Sequence, residues 1–285
     1  MSEAVLVTGA DGFLGRHLAA ALARAGRIVQ RHTRRDGDIA RHPLRFEGTA
    51  HVFHLAARTF VPESWADPRP FYETNVLGTV NTLEFCRQRG ASLTLVSSYV
   101  YGIPKELPIP ETHPLEAFNP YAHSKILAEE AAEYYRRQFG APVTIVRPFN
   151  LYGPGQNARF LIPSLVRQAL SPEHDSIAVE DARPRRDYLF VGDLVELLLL
   201  VMGRGGGVYN AGAGESVGIA ELVAVINSLV PVAKPLRSSG AARPEEVLDV
   251  VADVRKASDE LGWRPKTTLE DGIRQTIGAW TGEGL

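Results

Sequence analysis

The sequence contains few of the residues on which small secreted scaffolds depend. Cys86 is the only cysteine among 285 residues, so no internal disulfide can form and a reducing compartment is expected. Its neighbours Leu83 and Phe85 favour a small buried hydrophobic residue over a reactive thiol. No combination of His, Cys and acidic residues has the spacing of a metal site, so no metal is expected.

Long apolar runs and a strong excess of charge are also missing. The net charge of −2 provides no long-range attraction to nucleic acid or to an anionic membrane. The N-terminus shows no basic segment followed by an apolar one, so we expect no signal peptide. The most apolar run, 194–202, contains Glu196 and is too short to cross a bilayer. These features predict a soluble cytoplasmic protein without nucleic-acid or membrane partners.

Short apolar segments alternate with amphipathic ones over the first two thirds of the chain. This alternation predicts a Rossmann-type, doubly wound parallel α/β sheet with helices on both faces. The segment 34–49 is short for a crossover, so the third strand and its helix are expected to be abbreviated. The predicted strands are 5–8, 28–33, 51–55, 93–97, 143–147 and 208–210, and the predicted helices in this region are 13–25, 70–89 and 121–139.

Loops and prolines become more frequent after Asn150, and a late helix is predicted at 219–230. This change of character predicts a smaller C-terminal α/β lobe that binds a substrate. The expected division assigns 1–150 plus about 189–212 to the dinucleotide-binding domain. It assigns 151–188 plus 213–285 to the substrate lobe.

A glycine-rich loop connects the first predicted strand to the first predicted helix. Gly9 permits a tight turn, Gly12 allows the backbone to approach a pyrophosphate, and Gly15 permits close helix–strand packing. The amides and dipole of the helix N-terminus would then stabilise the anion. The spacing therefore predicts a dinucleotide site, and its expected contacts are Gly9, Asp11, Gly12, Phe13, Leu14 and Gly15.

The end of the second predicted strand bears on the choice between NAD and NADP. An acid there would bind the ribose hydroxyls of NAD, but none stands at the expected position. Arg34 and Arg35 offer planar guanidinium groups suited to a 2′-phosphate, although Asp36 or Asp38 could weaken that preference. The sequence predicts that NADP is preferred and NAD is possible, and the expected contacts are Thr33, Arg34 and Arg35.

A tyrosine and a lysine occupy neighbouring turns of one predicted helix. Asn119 and Pro120 are suited to the start of a helix, which places Tyr121 and Lys125 at positions i and i+4 of one face. A nearby ammonium would lower the pKa of a phenol toward the range useful for proton transfer. Ser97 follows a central strand, where it could hydrogen-bond a reacting oxygen. The pattern predicts hydride-transfer chemistry.

These motifs, in this order, resemble the extended short-chain dehydrogenase/reductase superfamily, and in particular its NAD(P)-dependent epimerase/dehydratase family of nucleotide-sugar enzymes. The resemblance extends over nearly the whole chain. It is carried by VTGADGFLG at 7–15, VFHLAA at 52–57, NVLGT at 75–79, SSYVYG at 97–102, YAHSK at 121–125, RPFNLYGPG at 147–155, RDYLFVGDL at 186–194 and the segment 252–273.

The resemblance assigns roles to individual residues. It implies that Ser97, Tyr121 and Lys125 are catalytic, that Tyr121 and Lys125 also contact the cofactor, and that Pro148 lies near the nicotinamide. Further expected cofactor contacts are Asp38, Ile39, Leu55, Ala56, Ala57 and Asn75. The residues expected to bind a nucleotide sugar are Ser97, Ser98, Tyr99, Asn150, Arg186 and Arg243.

Departures from the family pattern narrow the reaction. Ser98 and Tyr99 stand where 4,6-dehydratases have an Asp-Glu pair, so dehydration is not expected. Enzymes similar to GDP-fucose synthase use an additional Cys and His, whose positions hold Tyr99 and Phe160 here. An NADPH-dependent reductase of a 4-keto-6-deoxy sugar nucleotide is favoured, and a 4-epimerase with tightly bound NAD is the alternative.

Two further expectations concern other properties of the chain. A non-catalytic NADP-binding sensor is an interpretation of a different class, which the presence of both Tyr121 and Lys125 disfavours. The resemblance also implies a homodimer, in which helices 70–89 and 121–139 pair across subunits.

Overall fold

The computed structural model describes residues 4–204, 206–241 and 246–282. The strands are β1 (Ala4–Thr8), β2 (Ile28–His32), β3 (Thr49–His54), β4 (Ser92–Val96), β5 (Val143–Pro148), β6 (Asn150–Tyr152), β7 (Ile177–Val179), β8 (Arg185–Arg186), β9 (Tyr188–Phe190), β10 (Val208–Ala211), β11 (Val217–Gly218) and β12 (Leu236–Ser238). The helices are α1 (Phe13–Arg24), α2 (Val61–Ala66), α3 (Arg69–Tyr72), α4 (Gly78–Arg89), α5 (Pro120–Phe139), α6 (Leu161–Leu170), α7 (Val191–Val201), α8 (Ile219–Leu229), α9 (Arg255–Leu261) and α10 (Leu269–Thr281).

Six parallel strands form the central sheet in the order β2-β1-β3-β4-β5-β10. All six strands predicted from the apolar runs are present. The chain moves outward in one direction from β1 to β2 and in the other direction from β3 to β10. The reversal leaves a crevice beside the carboxyl ends of β1 and β3, where open α/β sheets bind their ligands. The predicted Rossmann-type fold is confirmed.

The strand and helix expected in abbreviated form within 34–49 are absent. Residues 33–48 contain no helix or strand, and the strand that follows them, β3, pairs with the opposite side of β1 from β2. Buried Ile39 and Leu44 hold this connection against the rest of the fold. A connection of this length can cover the end of the sheet but is too short to supply a strand and a helix.

The helix that carries the predicted catalytic pair begins as its sequence indicates. Asn119 adopts an extended conformation, and its side chain accepts a hydrogen bond from the amide of Ala122 at 2.7 Å. Pro120 occupies the first turn, where its missing N–H costs nothing. α5 packs along α4, which is joined to α3 through a π-helical turn at Glu73–Leu77. The predicted helix at 70–89 is therefore present, with an irregularity in its first half.

A second apolar cluster lies beyond the central sheet. It is formed by α6, α8 and α10 together with one face of β9, where Tyr188 and Phe190 are buried. Three two-stranded sheets pair β11 with β8, β12 with β7, and β6 with β9. The exact division of the chain between two lobes stays a prediction. In the described ranges, no helix combines the length and apolar character needed to cross a membrane.

Candidate active site

The glycine loop is packed too tightly for side chains at two of its three glycines. Gly9 has φ +67°, and a Cβ there would lie 2.9 Å from the backbone of Ala56. A Cβ on Gly15 would lie 2.2 Å from the carbonyl oxygen of Gly9. Gly12 is the N-cap residue of α1 and has no side chain to cap the helix. No acid lies in the first turn of α1. The first amides of α1 are therefore available for an anion, and the loop fits a dinucleotide pyrophosphate.

The segment that follows β3 forms the neighbouring wall of the crevice. The Thr8 hydroxyl accepts hydrogen bonds from the amides of Leu55 (3.1 Å) and Ala56 (3.2 Å). His54 contacts the same hydroxyl at 2.9 Å, and burial lowers the pKa of His54 to about 3, so its ring is neutral. These bonds hold residues 55–57 against the glycine loop. Ala57 continues this wall and is partly buried.

The connection after β2 reaches α4 through Ile39. This side chain is buried, and a Cβ at Gly78 would lie 2.9 Å from Ile39 Cγ2. The Asn81 amide donates to the carbonyl of Ile39 at 2.8 Å. Asp38 is exposed and accepts a hydrogen bond from the amide of Ala40 at 2.9 Å. Ile39 therefore anchors the connection after β2 against α4, while Asp38 is engaged in its own turn.

In the turn after β2, Asp36 bonds to Thr33 and forms no ion pair with Arg34 or Arg35. Asp36 accepts hydrogen bonds from the amide and hydroxyl of Thr33, both at 2.8 Å, and these bonds lower the pKa of Asp36. Arg34 and Arg35 are exposed, and neither guanidinium contacts a hydrogen-bond or ion-pair partner among the described residues. The turn therefore presents two positive charges that are available to a ligand.

Lys125 connects α5 to the end of β4. Its Nζ donates to the carbonyl oxygen of Val96 at 2.7 Å, directly before Ser97. The Ser97 amide donates to Val146 in β5 at 2.8 Å, which fixes its backbone in the sheet. The hydroxyls of Ser97 and Ser98 are buried and have no partner among the described residues. Because buried hydroxyls rarely stay without a partner, this arrangement fits a bound substrate.

Burial is the largest influence on the pKa values of both Tyr121 and Lys125. It lowers the pKa of Lys125 to about 8, and the carboxylate of Glu129, one turn further along α5, opposes this fall. Although Tyr121 is partly exposed, burial raises the pKa of its phenol. The ring of Phe71 packs edge-on against Tyr121, with centroids 6.4 Å apart.

The side chain of Asn75 connects the segment after β3 to α5 through hydrogen bonds. Its side chain accepts from the amide of Arg58 (2.8 Å) and donates to the Arg58 carbonyl (3.1 Å) and the Ser124 hydroxyl (2.9 Å). Ser124 in turn donates to the carbonyl of Tyr121 at 2.7 Å. Sequence reasoning missed Ser124, although its spacing of three from Tyr121 placed it in the same helical turn.

The predicted substrate residues lie directly after β4, at the start of β6 and in β8. Pro148 ends β5 and pairs with β10, and the Asn150 amide group donates to the carbonyl of Asp187 at 3.2 Å. Arg186 forms an ion pair with Glu246 and donates to the Val247 carbonyl at 2.7 Å. The Tyr99 hydroxyl donates to the carbonyl of Gly102. Arg243 lies outside the described residues.

Two residues of α1 that sequence reasoning missed connect the glycine loop to the loop after β6. Arg16 donates to the Gly155 carbonyl at 3.1 Å, and His17 Nε2 contacts the Pro154 carbonyl at 2.9 Å. Both partners are backbone groups about 140 residues away, so no local pattern could indicate these contacts. They join the two sides of the candidate site.

Comparison with known proteins identifies relatives along almost the whole chain. Residues 5–212 match the NAD dependent epimerase/dehydratase family. GDP-6-deoxy-D-mannose reductase of Pseudomonas aeruginosa is 34% identical over 298 residues, an alignment that covers 98% of each protein.

Two solved structures have the same fold. RMD from Pseudomonas aeruginosa, complexed with NADPH, superposes with a TM-score of 0.89 at 32% identity, covering 98% of this chain and 99% of that one. UDP-glucose 4-epimerase of Thermus thermophilus, in complex with NAD, gives a TM-score of 0.85 at 28% identity with the same coverage. The chain therefore belongs to the NAD dependent epimerase/dehydratase family and is an enzyme of the extended short-chain dehydrogenase/reductase type that uses a nicotinamide cofactor.

Proposed function

We propose that the enzyme reduces the C4 ketone of a 4-keto-6-deoxy sugar nucleotide with NADPH. The observation that carries this proposal is the end of β4. Two buried hydroxyls without partners among the described residues, those of Ser97 and Ser98, lie next to the carbonyl that binds Lys125. The 34% identity to a GDP-6-deoxy-D-mannose reductase over 98% of both chains supports reduction as the outcome.

Three residues of this chain have separate roles in the proposed reaction. The nicotinamide cofactor, when bound, supplies a hydride. Tyr121 donates its phenolic proton to the C4 oxygen, and Ser97 donates a hydrogen bond to that oxygen as negative charge develops on it. Lys125, held by the Val96 carbonyl, stabilises the phenolate left on Tyr121. Burial of Lys125 and both serines excludes water from these transfers.

Binding of the sugar nucleotide is assigned to residues beyond β5 together with residues that follow β4. Asn150 and Arg186 lie on neighbouring segments, because the Asn150 backbone and side chain both bond the carbonyl of Asp187. Arg186 is paired with Glu246, so a substrate diphosphate would compete with that carboxylate for the guanidinium. Ser98, Tyr99 and Arg243 complete the proposed set, in which Arg243 belongs to the segment that directly precedes Glu246.

The direct test offers the purified enzyme a GDP-linked 4-keto-6-deoxy sugar with NADPH. We expect loss of NADPH absorbance and formation of the 6-deoxy sugar nucleotide. The similarity to an NAD-containing UDP-glucose 4-epimerase makes 4-epimerisation the second candidate. Release of near-stoichiometric NAD from the denatured protein, with no consumption of NADPH, would favour the epimerase.

The preference for NADPH is assigned to Arg34 and Arg35. Replacing both with alanine is expected to weaken NADPH binding by about 10–100-fold, because each guanidinium can form a charge-assisted bond to the 2′-phosphate. NADH lacks that phosphate, so its affinity should change little. Titration of both cofactors by fluorescence measures the ratio. Arg27→Ala, an exposed arginine at the opposite end of β2, is the matched control, and equal losses for both cofactors would reject the assignment.

A homodimer through α3, α4 and α5 is also proposed. An open, largely apolar groove between α3, the π-helical turn that precedes α4 and α5 is lined by Tyr72, Val76, Leu77 and Leu127, and Leu77 is 50% exposed. We expect light scattering to give a dimer for the wild type and a monomer for Leu77→Glu, because a charge in the paired face is costly. Val232→Glu, at an apolar residue exposed elsewhere, should stay dimeric. A monomeric wild type would contradict the proposal.

A further inference from the structure

We infer that residues 154–160 form a strap across the mouth of the crevice, and that this strap must open for the nicotinamide cofactor to enter or leave. Arg159 holds the strap closed through contacts with Phe60 and Glu63 on the other side of the crevice. The inference requires only that the enzyme binds a nicotinamide cofactor, so it does not rest on the proposed reduction.

The strap begins against α1. His17 Nε2 contacts the carbonyl oxygen of Pro154 at 2.9 Å, and Arg16 donates to the carbonyl oxygen of Gly155 at 3.1 Å. Both side chains come from the first two turns of α1, directly after the glycine loop. Because the first amides of α1 fit a pyrophosphate, the strap starts beside the position expected for that group.

The strap ends against the start of α2. The ring of Phe160 packs edge-on against the ring of Phe60, with centroids 5.8 Å apart. Phe60 is the N-cap residue of α2, and it follows the segment 55–57 that forms a wall of the crevice. The two ends of the strap therefore rest on different helices, each of which follows the carboxyl end of a central strand.

These two helices lie on opposite faces of the central sheet. Neighbouring residues of β1 point to opposite faces: Val7 packs in one cluster with residues of α1 and α7, and Leu6 packs in another with residues of α4 and α5. α2 packs against α5 and so belongs to the second face. The strap therefore crosses the carboxyl edge of the sheet from one face to the other, over the crevice in which a dinucleotide binds.

Arg159 makes the contacts that hold the strap to α2. Its Nη1 lies 2.6 Å from a carboxylate oxygen of Glu63, and its Cζ lies 4.2 Å from the centre of the Phe60 ring and 5.7 Å from that of Phe160. The side chains of Arg159 and Glu63 are 40% and 50% exposed. Because exposed ion pairs and cation–π contacts are individually weak, this cluster can close the strap without locking it.

The strap, rather than α2, is the side that can move. α2 packs against α5, and its Ser64 is fully buried. By contrast, none of the residues 154–160 is buried, and Gly155 has φ +79°, a conformation from which a glycine can rotate freely. Segments with few buried contacts open at the lowest cost, and hinges at such residues are common in loops that close over active sites.

Arg159→Ala tests the strap through the kinetics of cofactor binding. Stopped-flow fluorescence measures association of NADPH and its dissociation into an excess of NADP⁺. Binding and release both require the open strap, so each observed rate constant is scaled by the fraction of open molecules. Loss of the guanidinium raises that fraction in the free and the bound enzyme, and we expect both rate constants to rise about 3–10-fold while the Kd changes little.

A second variant separates the ion pair from the ring contacts. Glu63→Gln removes only the carboxylate charge and should raise both rate constants about two-fold. The double variant should be no faster than Arg159→Ala, because the carboxylate then has no guanidinium to hold. Arg274→Ala, which breaks an exposed pair with Glu270 inside α10, is the matched control and should leave both rate constants at the wild-type value.

Unchanged or slower rate constants in Arg159→Ala would overturn the inference. Faster dissociation with an equally weakened Kd would also overturn it, since Arg159 would then hold the cofactor directly. Repeating the measurement with NADH and NAD⁺ makes the result independent of cofactor preference. No sugar nucleotide is present in these experiments, so their outcome is separate from that of the proposed reduction.

Discussion

Tyr121→Phe is expected to lower turnover by about 10²–10⁴-fold, the usual contribution of a positioned general acid. The phenylalanine ring keeps the edge contact with Phe71 and the shape of the crevice, so the affinity for NADPH should stay close to the wild-type value. The loss should therefore fall on the chemical step, as an interaction made only in the transition state. Single-turnover reduction and fluorescence titration of NADPH measure the two quantities.

The matched control removes another tyrosine hydroxyl from the same helix. Tyr135 lies in α5 and donates to Glu84 at 2.7 Å, away from the end of β4. Tyr135→Phe should cost a little stability and leave turnover unchanged. If Tyr121→Phe reduced the ketone at the wild-type rate, another group would have to supply the proton, and the assignment of Tyr121 would be lost.

The sheet could be predicted because its signals are local. Apolar runs of three to six residues indicated the strands, and each of the six predicted strands agrees with the structure to within two residues at either end. The path between β2 and β3 could not be predicted in the same way. Its course depends on Ile39 packing against Gly78, two residues that are 39 positions apart and carry no pairing signal in one sequence.

In the candidate site, too, contacts between neighbouring residues could be predicted, whereas contacts between residues distant in sequence could not. Tyr121 and Lys125 could be paired from sequence because helical spacing brings positions i and i+4 together. The partner of Lys125 is the backbone carbonyl of Val96, which is 29 residues distant and has no side-chain signature. The family resemblance implied that Arg186 binds the nucleotide sugar, but its ion pair with Glu246 arises only from tertiary packing. Residue type and spacing in the sequence therefore indicate which chemistry is possible. The hydrogen-bond and ion-pair partners of a side chain can be identified only in the folded structure.

A buried ion pair between β5 and α5 should make a large contribution to stability. Arg147, at the end of β5, binds Glu129 of α5 at 2.6 Å and donates to the Tyr101 hydroxyl at 3.0 Å. The two side chains are only 6% and 5% exposed. Burial disfavours the charge on Arg147, but Glu129 and Tyr101 together more than offset it, so the pKa of the guanidinium is raised. The Arg147 guanidinium is therefore charged in the folded enzyme.

Arg147→Met or Glu129→Met should each lower the free energy of unfolding by about 3–5 kcal/mol, because either change leaves an uncompensated buried charge. The double variant removes both charges and should be more stable than either single variant. Urea unfolding of the four proteins measures this coupling. Arg136→Ala, which breaks the exposed pair with Glu133 on the same helix, should cost less than about 1 kcal/mol. Additive losses at Arg147 and Glu129 would show that packing, rather than charge, governs this position, and α5 would then owe its placement to its apolar face.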